Sequence, residues 1–478
     1  MKKITTFIFF VSLALFCPEA VGQSTTGSES YRSGTVLEKR LEWFQDQKFG
    51  LFISFGIWGE GVFSTPWQLS LDHLAANKGK VPGWDYDINA YRNAYWNLSK
   101  VFYPYKFDAE EWARIAKDAG TKYFIFYTKH HDGFNMYDTR LSDYKITSPD
   151  CPYADHPNPD YSARLFEACR KEGLAVGACH SFSDWHSPFY WKPNSPAPDR
   201  YENYDADKEP ERWQKFVDFF HGQIQELMTR YGRIDILWLD GGWSLHYNRQ
   251  GQKGAGESMH VRMQDMQMDR LVDMARGYQP ELIVVERGGA RAGSKHENYK
   301  TPERRVPEEP LGEPWETWWA MGDDSSQELL HMLVDIVSKG GNLLLCPAVT
   351  AAGMIDPSCV ERLKEMGEWL RINSDAIYGT RMYSRYRDGN VCYTKKGGHV
   401  YAIYLGQAQA SKMRAGLPPR VIIKHVKPVA GSKIYLLGVN EPLKWRSVGD
   451  AIEITIPEPV TRSAPCKYAY SFRIQVSM

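Results

Sequence analysis

Short apolar runs, each ended by a polar residue and most followed by a helical pattern, recur through the first three quarters of this chain. The runs are Gly50–Gly56, Tyr123–Thr128, Leu174–Ser181, Ile234–Asp240, Leu282–Glu286, Trp315–Met321 and Asn342–Pro347. They are too short for buried helices and lack the alternation of a half-wet strand, so they predict strands covered on both faces, as in a parallel sheet. Between them, Asp108–Gly120 carries an N-cap Asp, acidic residues in its first turn and a closing Gly, the signals of a helix with both ends specified. Ser162–Glu172, Pro210–Tyr231, Gln327–Ser338 and Pro357–Ser374 read the same way. Strands alternating with helices imply parallel βαβ units, and seven or eight of them predict a (β/α)8-like TIM barrel with long insertions at its rim. An open doubly wound sheet is the alternative. Polar chemistry follows nearly every strand and no Gly-rich phosphate loop opens the first helix, which favours the barrel.

The pattern changes near residue 375. Val391–Thr394, His399–Leu405, Arg420–Lys424, Lys433–Leu437, Ala451–Ile456 and Tyr468–Val476 are short β-rich runs separated by Gly, Pro and Asn. They predict a C-terminal antiparallel β-sandwich, and no cluster of reactive side chains gives it more than a packing role. The division expected is therefore a signal peptide over 1–22, a flexible leader over 23–35, a barrel over 36–374 and a β-sandwich domain over 375–478.

The N-terminus reads as a targeting segment. Lys2-Lys3 is a basic start, Phe7–Cys17 an apolar core and Ala20-Val21-Gly22 a small-residue cleavage site before Gln23. Export to the periplasm or beyond the cell is expected; lipidation at Cys17 is disfavoured by the bulky Phe16 before it. The remaining cysteines, 151, 169, 179, 346, 359, 392 and 466, are odd in number and lack metal-type spacing, so neither a disulfide framework nor a cysteine metal site is expected. Lys+Arg and Asp+Glu are equal at 58 each, and no basic field points to nucleic acid or to a membrane surface. Aromatics reach 14%, with 16 Trp, an excess that suits a cleft stacking on apolar ring faces, although core packing accounts for most of them.

The densest chemistry lies in Ile234–Trp243, I-D-I-L-W-L-D-G-G-W. Asp240 falls where a barrel strand ends, on the rim where barrel enzymes keep their chemistry, with Trp238 two residues before it and Gly241-Gly242 leaving room for a ligand. The bland reading is a helix N-cap or a salt bridge beneath the rim. Lys129-His130-His131-Asp132-Gly133 places two adjacent imidazoles at another strand end, suited to sugar hydroxyls. Structural hydrogen bonding is the alternative, and a metal shared by His130, His131 and His180 is disfavoured because neighbours on an extended chain point to opposite sides.

These segments, with Lys48–Ile53, Phe107–Trp112, Tyr299–Glu303, Pro314–Thr317, Val337–Leu345 and Ile377–Gly379, resemble glycoside hydrolase family 29, the retaining α-L-fucosidases. The likeness runs in order over most of residues 40–380. It implies a barrel followed by a β-sandwich, no cofactor, no metal and a fucosylated glycan as substrate. Asp240 matches the family nucleophile, His130 and His131 its sugar-binding pair, Trp238 its aromatic, and Arg287 an arginine after the next strand; Trp67 is a further substrate-binding candidate. Two departures bear on the sugar. Ser54-Phe55-Gly56 stands where the family has His-Trp-Gly, and Cys179-His180-Ser181 stands where many members have Tyr-Tyr-Ser, so His180 is expected to replace a lost contact. An α-L-galactosidase or another 6-substituted-sugar hydrolase, or a sugar-binding relative without catalysis, stays open beside the fucosidase. A sugar methyl would need an apolar corner, for which Trp238, Trp243, Phe55 and Trp318 are candidates. Retention needs two carboxyls about 5–5.5 Å apart. The acid/base is read as Glu286, at the end of the strand after Asp240, with Glu297 and Glu303 as alternatives and Glu316 further on; Lys300 occupies the position where one branch of the family carries its acid. Linkage, aglycone and oligomeric state are not legible.

Overall fold

The computed structural model describes residues 35–60, 66–70, 88–195, 197, 200–242, 265–287, 296–406 and 416–477. Seven parallel strands form one curled sheet: β1 Phe49–Ile53, β2 Tyr123–Lys129, β3 Ala175–Ser181, β4 Ile236–Asp240, β5 Ile283–Glu286, β6 Glu316–Ala320 and β7 Asn342–Cys346, in the order β5-β4-β3-β2-β1-β7-β6. Each run that reads as a strand in the sequence is one. Alternate residues serve two cores. Phe52, Tyr123, Tyr127, Trp238, Val285 and Leu344 point inward and pack together, whereas Leu51, Phe124, Val176, Leu237, Val284 and Leu345 join the larger core outside, against the helices. Both sides are dry, which is why the strands read as continuous apolar runs rather than as alternating ones.

β5 and β6 do not pair. The seam between them is filled by the stretch around Asn298–Arg304: the Asn298 N–H donates to Val284 at 3.0 Å, and isolated parallel bridges join Lys300 to Trp315 and Glu303 to Trp318. Among the described residues no eighth regular strand lies here. Pro302 has no N–H for a ladder, and Arg304 turns into the left-handed region with φ 49°, so this stave stays irregular.

The helices wrap the outside. Ala109–Asp118 is capped by Asp108, whose side chain accepts the Glu111 N–H at 2.9 Å, and Tyr161–Lys171 begins behind Asp160, which caps the Ala163 N–H at 3.0 Å. Pro210–Arg230, Ser326–Ser338 and Pro357–Ile377 complete the expected set, the second behind a reciprocal Ser325–Glu328 capping box. Helices Thr35–Gln47, Ile88–Trp96 and Met268–Tyr278 carry polar and aromatic patterns that the periodicity does not single out.

After Arg381 the strands become antiparallel. A five-stranded sheet holds Arg381–Asp388, Val391–Lys396, His399–Leu405, Tyr435–Leu436 and Ala469–Gln475, and a three-stranded one Arg420–Lys424, Lys444–Val448 and Ala451–Thr455. The two strands absent from the sequence reading, Arg381–Asp388 and Lys444–Val448, are both edge strands rich in exposed charge, a composition that blocks sheet-to-sheet association and hides them from a hydrophobic count. One face of the larger sheet joins the barrel core: the Trp369 indole donates to the Ala469 carbonyl at 2.8 Å. None of the seven described cysteines forms a disulfide.

Candidate active site

Four strand ends and the loops that follow them converge on Asp240, the last residue of β4. Its strand neighbours alternate, so Trp238 and Asp240 share the inward face while Leu237 and Leu239 face the helices. The backbone is anchored on both flanks: Phe182 N–H donates to the Asp240 carbonyl at 2.7 Å, and Arg287 N–H donates to the Leu239 carbonyl at 2.7 Å. Gly241 then leaves the strand at φ 89°, a turn that a side chain would oppose. The carboxylate accepts from three elements. Tyr127 of β2 donates its O–H to Oδ2, His131 Nε2 lies 3.4 Å from the same oxygen, and Arg287 Nη1 lies 3.0 Å from Oδ1.

The two histidines stand together rather than opposed, which corrects the expectation that they diverge. β2 ends at Lys129, and His130-His131-Asp132 is already a turn, so extended-chain alternation no longer applies. Their ring centroids are 4.5 Å apart. His130 Nδ1 accepts the His131 backbone N–H at 2.8 Å, which leaves the ring proton on Nε2. His131 Nδ1 meets Ser183 Oγ at 2.8 Å, and because a carboxylate only accepts, its Nε2 carries the proton toward Asp240. Ligand atoms of His130, His131 and Asp240 lie within 4.8 Å of one another, near enough for a shared cation. With a proton on the Nε2 of each ring and a guanidinium on the carboxylate, the set suits hydroxyl groups better than a metal.

Burial by itself would raise the Asp240 pKa, but the charge of Arg287, the His131 hydrogen bond and His130 outweigh it and hold the carboxyl far below its ordinary range. Burial also drives both imidazoles below their usual values, so they are neutral and the guanidinium is the lasting charge beside Asp240. Burial, then Asp240 itself, holds the Tyr127 phenol well above its usual value, so it remains an O–H donor. The result is an ionised carboxylate, 5% exposed, among neutral and cationic donors. Such a group can attack an electrophilic carbon without first losing a proton.

Comparison with known proteins agrees with this geometry. Residues 17–375 match the family described as alpha-L-fucosidase, and residues 386–475 match the alpha-L-fucosidase C-terminal domain. The chain belongs to the α-L-fucosidase family. The tissue alpha-L-fucosidase of Homo sapiens is 27% identical over 459 residues, covering 90% of this chain and 88% of that one. Alpha-L-fucosidase isoenzyme 1 from Paenibacillus thiaminolyticus superposes with a TM-score of 0.71 at 26% identity, over 93% of this chain and 100% of that one. The Thermotoga maritima alpha-fucosidase in complex with fucose gives 0.67 at 26%, over 92% and 98%. These relatives make the chain a glycoside hydrolase.

Within that family frame the other candidate residues separate. Trp67 stands beside the pocket, its ring 5.0 Å from His131 and 4.8 Å beneath the Arg200 guanidinium. Trp238 is buried one layer below Asp240, under Arg287 at 5.0 Å, and acts as a floor rather than as an open wall. Trp318 shares that inner layer, 5.7 Å from Arg287. Three expectations need correction. His180 is fully buried behind the sheet, bonded to Thr128 Oγ1 at 2.9 Å and Gln223 Oε1 at 3.2 Å and packed on Phe220, so it reaches no sugar. Phe55 also faces the helical layer, against Phe102 and Trp112. Glu286 pairs in register with Leu239 and shares the outward parity of Val284, opposite to Arg287, so its buried carboxyl is not aimed at Asp240. Among the alternatives, Glu297 is held by Lys300 at 2.6 Å, whereas the half-exposed Glu303 pairs with Arg287 Nη2. Trp243 lies outside the described residues. Tyr127 and Ser183 escape the sequence reading; the only signal for Tyr127 is a polar-tipped aromatic at every fourth position of an apolar strand, after Tyr123.

Proposed function

We propose that this protein is an exported exo-glycosidase that releases terminal α-L-fucosyl residues from glycans with retention of configuration. The observation that carries the reading is the ionised Asp240 at the strand end, held by Arg287, Tyr127 and His131 in a chain of this family. Asp240 attacks the anomeric carbon, His130 and His131 donate N–H groups to ring hydroxyls, and Trp67 walls the sugar. Glu303 is the acid/base. A guanidinium that holds one carboxylate on each terminal nitrogen is a spacer of the order the retaining mechanism needs, about 5–5.5 Å between carboxyls. As acid/base, Glu303 gives a proton to the leaving oxygen in the first step and takes one from the attacking water in the second. Export rests on the Lys2–Gly22 signature, and among the described residues no helix is long and apolar enough to cross a membrane.

The test is turnover of aryl α-L-fucoside and α-L-galactoside by the mature protein and its variants. Wild type is expected to prefer the fucoside; preference for the galactoside would move the assignment to a 6-hydroxylated sugar, which Ser54 in place of a bulkier donor would admit. Asp240→Gly is expected to abolish turnover with folding intact, and near-normal turnover would end the nucleophile assignment. Glu303→Ala is expected to cripple poor leaving groups far more than activated aryl glycosides, with partial rescue by azide. The same behaviour in Glu286→Ala instead would return the role to the strand end.

A further inference from the structure

β2 does not end in regular alternation. Tyr127 pairs with Cys179 and Lys129 with His180, so Thr128 is an extra residue opposite a single step of β3. Such a bulge re-aims the side chains around it. Tyr127 points into the barrel, whereas Thr128 and Lys129 both face outward. Thr128 Oγ1 meets His180 Nδ1 at 2.9 Å, and Lys129 Nζ lies 5.3 and 5.7 Å from the ring centroids of Phe219 and Phe220 on the helix Pro210–Arg230. A fully buried ammonium therefore sits one residue before the turn that carries His130 and His131. It donates to Asp184 Oδ2 at 3.1 Å, in the loop after β3, and to Gln223 Oε1 at 2.8 Å, on the helix.

From these two partners the network closes on the turn. Asp184 Oδ1 accepts the N–H groups of His186 at 3.1 Å and Ser187 at 2.8 Å, which folds residues 183–187 around the carboxylate. The same loop grips His131 at two points: Ser183 Oγ meets Nδ1 at 2.8 Å, and the Trp185 N–H donates to the His131 carbonyl at 2.8 Å. On the other arm, Gln223 Nε2 donates to Asn135 Oδ1 at 2.9 Å, and Asn135 Nδ2 donates to the Gly133 carbonyl at 3.0 Å. Held in this way, His131 Nε2 stands 3.4 Å from Asp240.

Replacing a buried ion pair by packed apolar residues is often neutral or stabilising, so packing alone does not call for this one. We propose that Lys129 is a positioning residue: by holding Asp184 and Gln223 it fastens residues 183–187 against the turn, and so fixes the His131 ring between Ser183 and the sugar. This rests on the reading of His131 as a sugar-binding residue.

The experiment is a mutant cycle on the full chain, read as the Kd of the fucose-configured iminosugar 1-deoxyfuconojirimycin by calorimetric titration, with a thermal melt of each variant. Lys129→Met keeps the apolar stem and removes the ammonium. Asp184→Asn keeps Oδ1 as an acceptor for the loop and removes only the ion pair, so it reports if the methionine variant does not fold. Each substitution is made in wild type and in His131→Ala. In wild type, Lys129→Met is expected to weaken Kd about three- to tenfold, the range of a lost hydrogen bond, and Asp184→Asn about threefold. In His131→Ala both are expected to move Kd by less than about twofold, because the contact they support is already gone. Equal weakening in the two backgrounds marks a merely structural role and overturns the inference; unchanged Kd values in wild type do the same, and both leave the fucosidase reading standing. A His131→Ala variant that binds like wild type removes the link and also overturns the inference. A wild type that neither binds the iminosugar nor hydrolyses 4-nitrophenyl α-L-fucoside overturns both.

Discussion

Replacing Lys48 by methionine is expected to stabilise the protein, and to do so in a pH-dependent way. Lys48 precedes β1 with a left-handed backbone (φ 60°), is fully buried, and its Nζ has no hydrogen-bond partner among the described residues. Burial first, then the charge of Arg381, pushes the ammonium down to about 7 against the pull of Asp46. The unfolded chain titrates the same group near 10.5. Below the folded pKa both states are protonated and the native state bears the whole difference, of order 5 kcal/mol at about 1.36 kcal/mol per pH unit. Between the two pKa values the unfolded chain binds the extra proton, so stability rises with pH, and above the unfolded pKa the penalty is gone. Methionine preserves the apolar stem and removes the amine. Its advantage should therefore be largest at pH 6 and fall to about half by pH 9, by the same linkage. Unfolding entropy of about 2.1 cal/mol/K per residue makes this about 1 °C of Tm per kcal/mol in a chain of this size, so the gain at pH 6 is about 5 °C. Calorimetric melts of both proteins at pH 6, 7.5 and 9 and fixed ionic strength measure it. A variant less stable at every pH, or a gain that does not change between pH 6 and pH 9, would refute the idea that an unpaired ammonium is being forced to neutrality.

Two further outcomes bear on the site. A Cβ on Gly133 would lie 2.1 Å from Asp184 Oδ1 at a φ of 79°, in the turn that carries His130 and His131, so Gly133→Ala is expected to lower Tm and turnover together; wild-type values for both would mean the turn is softer than its geometry implies. His130→Ala and His131→Ala are each expected to weaken sugar binding by about 0.5–1.5 kcal/mol per lost hydrogen bond, read from the Ki of a competitive iminosugar, with wild-type activity unmoved by chelator. Activity that vanishes on chelation and returns with zinc would overturn the hydroxyl-binding role.

The sequence by itself determined the barrel strands, the strand-end position of Asp240, the pairing of a parallel barrel with antiparallel strands, and the family. Each of these depends on local quantities: run length, alternation, caps and spacing. Which way a side chain points is not local when a strand is apolar on both faces. Along Leu282–Arg287 the parity separates Glu286 from Arg287, but only the pairing of Leu239 with Glu286 and the contact of Arg287 with Asp240 show which parity is the inside of the barrel. The same ambiguity sent His180 and Phe55 to the wrong side. The histidine pair failed for another reason, since a rule for extended chain was carried one residue past the end of the strand. Glu303 was visible as a candidate and no more, because its contact with Arg287 depends on an irregular stave in the seam between β5 and β6, where Pro302 removes the ladder that would have announced it. Tertiary structure decided these points because closing a sheet into a barrel gives its two dry faces different neighbours, and that difference is made by residues far apart in the chain.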